Sequence, residues 1–125
     1  TVRMYDVDVQ GITHYSSYYR FFTDAIEQFS INLFGRSMSI IDKDIWFVTV
    51  SSKANYLRPT YLDDKLLIKM TVKLISKSVI KFKFKIFDKN ELCITGEIVQ
   101  VAIDRKKWKS TTIPKEISEK FRENR

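Results

Sequence analysis

The sequence is poor in the residue types from which disulfides, metal sites and phosphate-binding loops are built. Its one cysteine, Cys93, cannot form an internal disulfide, and we expect an inert buried thiol in a cytoplasmic protein. Its one histidine, His14, has no partner at a metal-ligand spacing and adjoins no nucleophile at the spacing of a serine triad. Three glycines are too few for a glycine-rich phosphate loop, so no cofactor is expected.

Long apolar runs are also missing. No stretch reaches the roughly 18 consecutive apolar residues of a membrane helix, and the first residues lack the pattern of a secretory signal. We therefore expect neither a membrane span nor export. The 44% apolar and 14% aromatic content instead indicates a folded chain, and the length of 125 residues predicts one domain over 1–125.

Positive charge is in excess, because 22 Lys and Arg stand against 15 Asp and Glu, a formal net charge of +7. This balance favours an anionic partner: nucleic acid, a membrane surface or a phosphate-bearing small molecule. In 73–85 lysines alternate with apolar residues, which indicates strands with one solvated face. The aromatic residues of 79–87 share the buried phase, so a nucleic-acid stacking platform is missing and no nucleic acid is expected.

The apolar periodicity predicts one long helix and a sheet. Residues 1–7 alternate weakly and predict a short strand. A helix of about five turns is predicted from Ser17, capped by Ser16 or Ser17 and ended at Gly35. Its apolar stripe consists of Tyr18, Phe21, Phe22, Ala25, Ile26, Phe29 and Leu33.

A two-residue period predicts four strands, at 46–57, 65–75, 79–87 and 91–103, with turns at 76–78 and 88–91. The alternation shifts near Gly96, where we expect a bulge. Pro114 predicts the start of a short amphipathic helix over 115–122. An apolar helix stripe and a sheet with one apolar face bury each other when the sheet curls around the helix, which predicts an α+β fold.

Two segments carry a family resemblance. Residues 4–29, MYDVDVQGITHYSSYYRFFTDAIEQF, resemble the N-terminal signature of hotdog-fold thioesterases of the 4-hydroxybenzoyl-CoA thioesterase type, in which Asp-x-x-Gly leads into the central helix. Residues 55–68, NYLRPTYLDDKLLI, are similar to that family's second strand-turn-strand block, and Ile113-Pro114 to its usual close. The resemblance implies a hotdog fold, an antiparallel sheet wrapped around one long helix, and thioester hydrolysis.

The resemblance also implies site residues. Asp8 matches the family's catalytic carboxylate, with Val9, Gln10 and Gly11 completing the motif, and Tyr15 matches the residue whose backbone N–H polarises the thioester carbonyl. The implied substrate-binding residues are Gly11, His14, Tyr18 and Arg58. The chain departs from the family twice: Asp63-Asp64 replaces a Gly-Asp turn, and the histidine of some relatives at the position of Tyr15 is here one residue earlier.

These residues supply two parts of a thioester hydrolysis. Asp8 can act as general base toward water or as nucleophile through a mixed anhydride, and the sequence leaves both open. The first turn of the long helix offers unpaired N–H groups to the developing oxyanion, and Gly11 lets the chain double back so that Asp8 meets that helix end.

The resemblance implies a homodimer or homotetramer with active sites at the dimer interface, where Asp8 faces residues 53–60 of another copy. The expected substrate is an acyl-CoA, whose phosphates Lys53, Arg58, Lys81 and Arg105 are candidates to hold. An acyl-carrier-protein thioesterase and a non-catalytic acyl-binding hotdog module are the alternatives.

Overall fold

The computed structural model of the chain describes residues 1–8, 10–38 and 41–123. Its helices are a 3-10 turn at Met4–Asp6, α1 at Ser17–Phe34 and α2 at Lys115–Glu123. Its strands are β1 at Ile45–Tyr56, β2 at Leu66–Leu74, β3 at Val79–Asp88, β4 at Glu91–Asp104 and β5 at Lys109–Ser110. The predicted long helix, four long strands and closing helix are confirmed within a residue or two at each end.

Helix α1 ends where the sequence predicts. Gly35 adopts a left-handed conformation, φ +74°, and donates its N–H to the carbonyl of Ile31. At the other end Ser16 is the N-cap residue but makes no side-chain capping bond, while the Ser17 hydroxyl donates to the Asp6 carbonyl at 3.2 Å. The start of α1 is therefore tied to the N-terminal segment.

The sheet is antiparallel with strand order β1-β4-β3-β2, and β5 pairs with the end of β4. Lys89 and Asn90 connect β3 to β4 with φ of +49° and +69°, the left-handed pair of a type I′ hairpin turn. Asp63 adopts φ +71°, so the aspartate that replaces the family's glycine does take the left-handed turn. The β5 pairing was not predicted.

The core lies between α1, α2 and one face of the sheet. The Phe22 ring stacks on Phe84 of β3, with centroids 4.5 Å apart, and it sits directly over Gly96 of β4. An added Cβ at Gly96 would lie 2.5 Å from the Phe22 Cε2 atom. Phe121 of α2 closes the opposite end of the core against Phe29.

The bulge that the sequence predicts near Gly96 lies at Cys93 of β4, not at Gly96 itself. Gly96 pairs regularly with Phe84 and Ala54, and the register shifts lie between Thr49 and Ser51 and between Ile86 and Phe87. The extra residue of β4 is Cys93, because Ile86 pairs with Ile94 and Phe87 with Leu92, and Cys93 and Ile94 are both buried. At Gly96 the absence of a side chain leaves room for the Phe22 ring. Gly96 therefore marks the place where the Phe22 ring of α1 approaches the β4 backbone.

The predicted N-terminal strand over 1–7 is also wrong. Met4–Asp6 form a 3-10 turn, and Val2 is held by backbone hydrogen bonds with the 63–64 turn. The physical reason is Asp6, which is 1% exposed and lies against the side chain of Arg20 on α1. Val7 resumes an extended conformation and forms one antiparallel bridge with Thr13.

Candidate active site

A surface cleft of about 290 Å³ opens beside the start of α1. Its walls are the chain that enters α1 and the segment that leaves β1. The lining residues are Ile12, Thr13, Tyr15, Tyr18, Tyr56, Leu57, Arg58 and Pro59. The wall is mostly apolar and aromatic, as in a small-molecule site.

A buried chain of hydroxyls joins the two walls. The Thr13 N–H donates to the Thr60 carbonyl at 2.8 Å, and the two threonine Oγ1 atoms lie 2.6 Å apart. The Tyr18 hydroxyl lies 2.9 Å from the same Thr60 Oγ1. These three groups satisfy one another away from water, so the cleft wall is fixed without help from a ligand.

Tyr15 lies at the rim of the cleft, immediately before the N-cap of α1. Its ring is 65% exposed, while its carbonyl accepts a hydrogen bond from the Tyr56 hydroxyl at 3.3 Å. Within residues 1–8, 10–38 and 41–123 no acceptor lies opposite the Tyr15 backbone N–H. Burial raises the pKa of Tyr56, and neighbouring tyrosines led by Tyr19 raise it further, so its hydroxyl stays a donor at neutral pH.

The two carboxylates of the opening segment have separate environments. Asp6 is buried and accepts from Arg20 Nε at 3.0 Å, from Arg20 Nη2 at 2.6 Å and from the Arg3 N–H at 2.9 Å. The hydrogen bond with Asp6 is the largest cause that raises the pKa of Arg20. Because both Asp6 oxygens are occupied, this carboxylate is structural and is not available to a substrate.

Asp8 is exposed and is not among the described residues that line the cleft. One carboxylate oxygen accepts the Gln10 N–H at 2.9 Å. The backbone then doubles back, and the Asp8 N–H donates to the Ile12 carbonyl at 3.0 Å. Gly11 closes this turn with φ +75°, a left-handed conformation that glycine adopts without strain. Val9 lies outside the described residues.

Arg58 lines the cleft, whereas His14 lies beside Tyr15 without lining it. His14 is exposed, its Nδ1 lies 2.7 Å from the Ser16 hydroxyl, and its ring stacks on Tyr15 with centroids 4.6 Å apart. Arg58 is also exposed and pairs with Glu91 at 3.3 Å. Neither contact takes the side chain out of solvent, so both remain free to move toward a ligand.

The structure brings Tyr15, Tyr18 and Arg58 of the predicted site to one cleft, while Asp8, Gly11 and His14 are not among the described residues that line it. Sequence reasoning missed Thr13, Tyr56 and Thr60. Nothing in their spacing marks them, because they meet only through the fold. Within the described part of the chain no group of three or more His, Cys, Asp or Glu side chains is placed to hold a metal, and no described helix is long and apolar enough to cross a membrane.

Comparison with known proteins places this geometry in a family. The family model described as thioesterase-like superfamily matches residues 2–121. A protein of Aquifex aeolicus (strain VF5) that bears an esterase name is 25% identical over 118 residues, which are 94% of this chain and 91% of that protein.

Solved structures share the fold at low sequence identity. A 1,4-dihydroxy-2-naphthoyl-CoA thioesterase from Synechocystis has a TM-score of 0.90 at 18% identity, over 97% of this chain and 90% of that one. A Staphylococcus aureus protein in complex with CoA has a TM-score of 0.87 at 18% identity, over 100% and 82% of the two chains.

Proposed function

Since the chain belongs to the thioesterase-like superfamily and is a hotdog-fold hydrolase of thioesters, we propose that it cleaves an acyl-CoA to the free acid and CoA at the cleft beside α1. Asp8 supplies the base or nucleophile, and the Tyr15 N–H polarises the thioester carbonyl. The complex of the Staphylococcus aureus neighbour with CoA supports this class of substrate.

The observation that carries the proposal is the backbone N–H of Tyr15 at the cleft rim, for which the described part of the chain offers no acceptor. It precedes the first turn of an 18-residue helix, whose N-terminal end carries partial positive charge. A thioester carbonyl placed there meets a donor that has no competing acceptor among the described residues. An oxygen that gains negative charge during attack is stabilised by the same donor.

Asp8 is the carboxylate that fits the chemistry, because Asp6 is fully engaged by Arg20 and Arg3. As a base, Asp8 takes a proton from water while the water oxygen attacks the carbonyl carbon, and the C–S bond then breaks to release CoA thiolate. As a nucleophile, an Asp8 oxygen attacks the carbon and expels the thiolate, and water hydrolyses the resulting anhydride. Both routes end in the carboxylic acid and CoA.

A second copy completes the site in this proposal. Asp8 is exposed and the cleft is open to solvent in one chain, whereas hydrolysis of a bound acyl group needs a walled site. We assign the cover to residues 53–60 of a partner copy in a homodimer, alone or paired into a tetramer. Lys53, Arg58, Lys81 and Arg105 remain the candidates for the CoA phosphates. An acyl-carrier protein as donor is the second candidate, supported by the net charge of +7.

The test is thiol release from short, long and aromatic acyl-CoAs, and from the same acyl groups on a carrier protein. Asp8→Asn retains the acceptor for the Gln10 N–H, so we expect it to fold normally and to lose about 100-fold to 10,000-fold in kcat/KM. Asp63→Asn is the matched control, because Asn also tolerates the left-handed conformation of that exposed position. Equal turnover by Asp8→Asn and the parent chain would move catalysis elsewhere, and no turnover on any donor would favour an acyl-binding module.

A further inference from the structure

The loop that joins β4 to β5 presents a tryptophan among four cations. Residues 105–110 are all exposed, and Trp108 is 62% exposed between Lys107 and Lys109, with Arg105 and Lys106 completing the loop. A large apolar side chain in water is costly unless something covers it. We call Arg105–Lys109 the tryptophan loop.

The conformation of the tryptophan loop is fixed before anything binds. The Asp104 carboxylate accepts the N–H groups of Lys106 at 2.9 Å and Lys107 at 3.0 Å, and the Trp108 N–H donates to the Asp104 carbonyl at 2.8 Å. The two N–H bonds lower the pKa of Asp104, so it holds the loop at neutral pH. Trp108 adopts φ +55°, a conformation that a bulky residue rarely takes without such support.

A second exposed tryptophan adjoins the loop. Trp46 of β1 is 45% exposed, and its ring meets Trp108 edge to face with centroids 5.9 Å apart. Trp46 pairs with Ile103 across the ladder, on the face of the sheet that points away from α1. Asp42 and Asp44 precede β1 and are partly buried, and the Asp44 carbonyl accepts the Arg105 N–H at 3.0 Å.

Lysines continue the same outer face along the sheet. Lys69 stands opposite Lys85, and Lys73 opposite Lys81, so like charges face each other across β2 and β3, an arrangement that destabilises a sheet unless an anion is near. Glu97 pairs with Lys81 at 3.7 Å. A hollow of about 620 Å³ on this face is lined mainly by polar side chains, Lys53, Asn55, Lys69, Thr71, Lys83, Lys85, Thr95 and Glu97 among them.

We propose that this outer face docks on an anionic phospholipid surface, with Trp46 and Trp108 at the headgroup level and the lysines over the lipid phosphates. Indole rings and long cationic side chains are the residues that proteins place at that level. A protruding, preformed loop fits a broad deformable surface, whereas single-stranded nucleic acid is held in a groove by stacked aromatic rings. The docking face includes Lys53, Lys81 and Arg105, which are also candidates for the CoA phosphates, but it includes none of the residues that line the cleft beside α1.

The chain is suited to a direct test, because its two tryptophans are both in this patch. We expect the tryptophan emission of the full chain to shift to shorter wavelength with vesicles of phosphatidylglycerol and phosphatidylcholine. No shift is expected with phosphatidylcholine alone. None is expected in about 1 M salt either, because the Debye length falls to about 3 Å there. Co-sedimentation with the same vesicles gives the partition constant.

Variants separate the contributions. Lys106→Gln with Lys107→Gln keeps the backbone bonds to Asp104 and should weaken partitioning about 25-fold, at about fivefold for each charge. Trp108→Asn keeps the left-handed residue and removes the indole, and we expect about a tenfold loss. Lys115→Gln with Lys120→Gln on α2, on the opposite side of the sheet, changes net charge equally and should retain parental binding.

Four results would overturn the proposal. The first is the absence of a shift or of co-sedimentation with anionic vesicles at low salt. The second is equal loss of binding in the loop and α2 variants, which would reduce the effect to net charge. The third is tighter binding to a single-stranded oligonucleotide than to vesicles. The fourth is a change of oligomeric state in Trp108→Asn with vesicle binding retained, which would mean that the indoles cover a second copy.

Discussion

The ion pair between Asp6 and Arg20 holds the N-terminal segment on α1. We expect Arg20→Met to destabilise the chain far more than Asp6→Asn does. Arg20→Met leaves a carboxylate that is 1% exposed with one remaining donor, the Arg3 N–H. Breaking a buried pair in this way costs about 3 to 5 kcal/mol.

The cost of Asp6→Asn is smaller because the partner left behind is better solvated. The Arg20 side chain is 39% exposed, keeps its bond to Asp24 at 2.8 Å and lies over the Tyr5 and Phe21 rings. Loss of charge-assisted hydrogen bonds to a group that water can reach costs about 1.5 to 3 kcal/mol. The double variant removes both charges, so it should be more stable than Arg20→Met alone.

Urea unfolding followed by circular dichroism measures these differences in stability. Asp24→Asn is the control, because it removes only the exposed ion pair between Arg20 and Asp24. We expect Asp24→Asn to cost only about 0.3 to 0.5 kcal/mol, as an exposed pair one helical turn apart. An Arg20→Met chain that unfolds at the parental urea concentration would refute the reasoning, and so would a double variant less stable than Arg20→Met.

Two further predictions concern stability. Gly96→Ala should cost about 1 to 3 kcal/mol in urea unfolding, because the new methyl group meets the Phe22 ring, and a parental midpoint would refute this close approach. The pKa of Asp88 is raised above its ordinary 3.8, mainly by burial and next by the nearby Asp64 carboxyl. Ionised Asp88 therefore lowers the free energy of unfolding at neutral pH. Asp88→Asn should therefore stabilise the chain at pH 7, and the gain should shrink as pH falls through the raised pKa and vanish below about 3.8; a gain that persists in acid would contradict this.

The regular elements follow from local periodicity, and for this reason the sequence predicts α1 and the four long strands closely. Positions that depend on distant partners do not. Asp6 leaves the strand pattern because Arg20, 14 residues later, donates two hydrogen bonds to its buried carboxylate. Gly96 interrupts the apolar alternation of β4 because the Phe22 ring of α1 occupies the space of a side chain there. Local patterns do not contain either contact.

The candidate site also combines local features, which the sequence predicts, with contacts between distant residues, which it does not. The turn at Gly11 and the helix start near Tyr15 are local features, and the sequence predicts both. Thr60 and Tyr56 enter the cleft wall only because the end of β1 is folded back beside α1, at separations of more than 40 residues. The position of Asp8 relative to a second copy depends on assembly and remains a prediction.

The claim at the centre of this account is that a backbone N–H, not a side chain, polarises the thioester carbonyl. Tyr15→Pro removes that N–H, whereas Tyr15→Ala keeps the N–H and removes the exposed ring. Comparing the two variants therefore isolates the contribution of the N–H. With both variants shown to be folded, we expect Tyr15→Ala to stay within a few-fold of the parent chain in thiol release. Tyr15→Pro should lose about 100-fold to 1,000-fold in kcat. Equal kcat in the two variants would contradict the account.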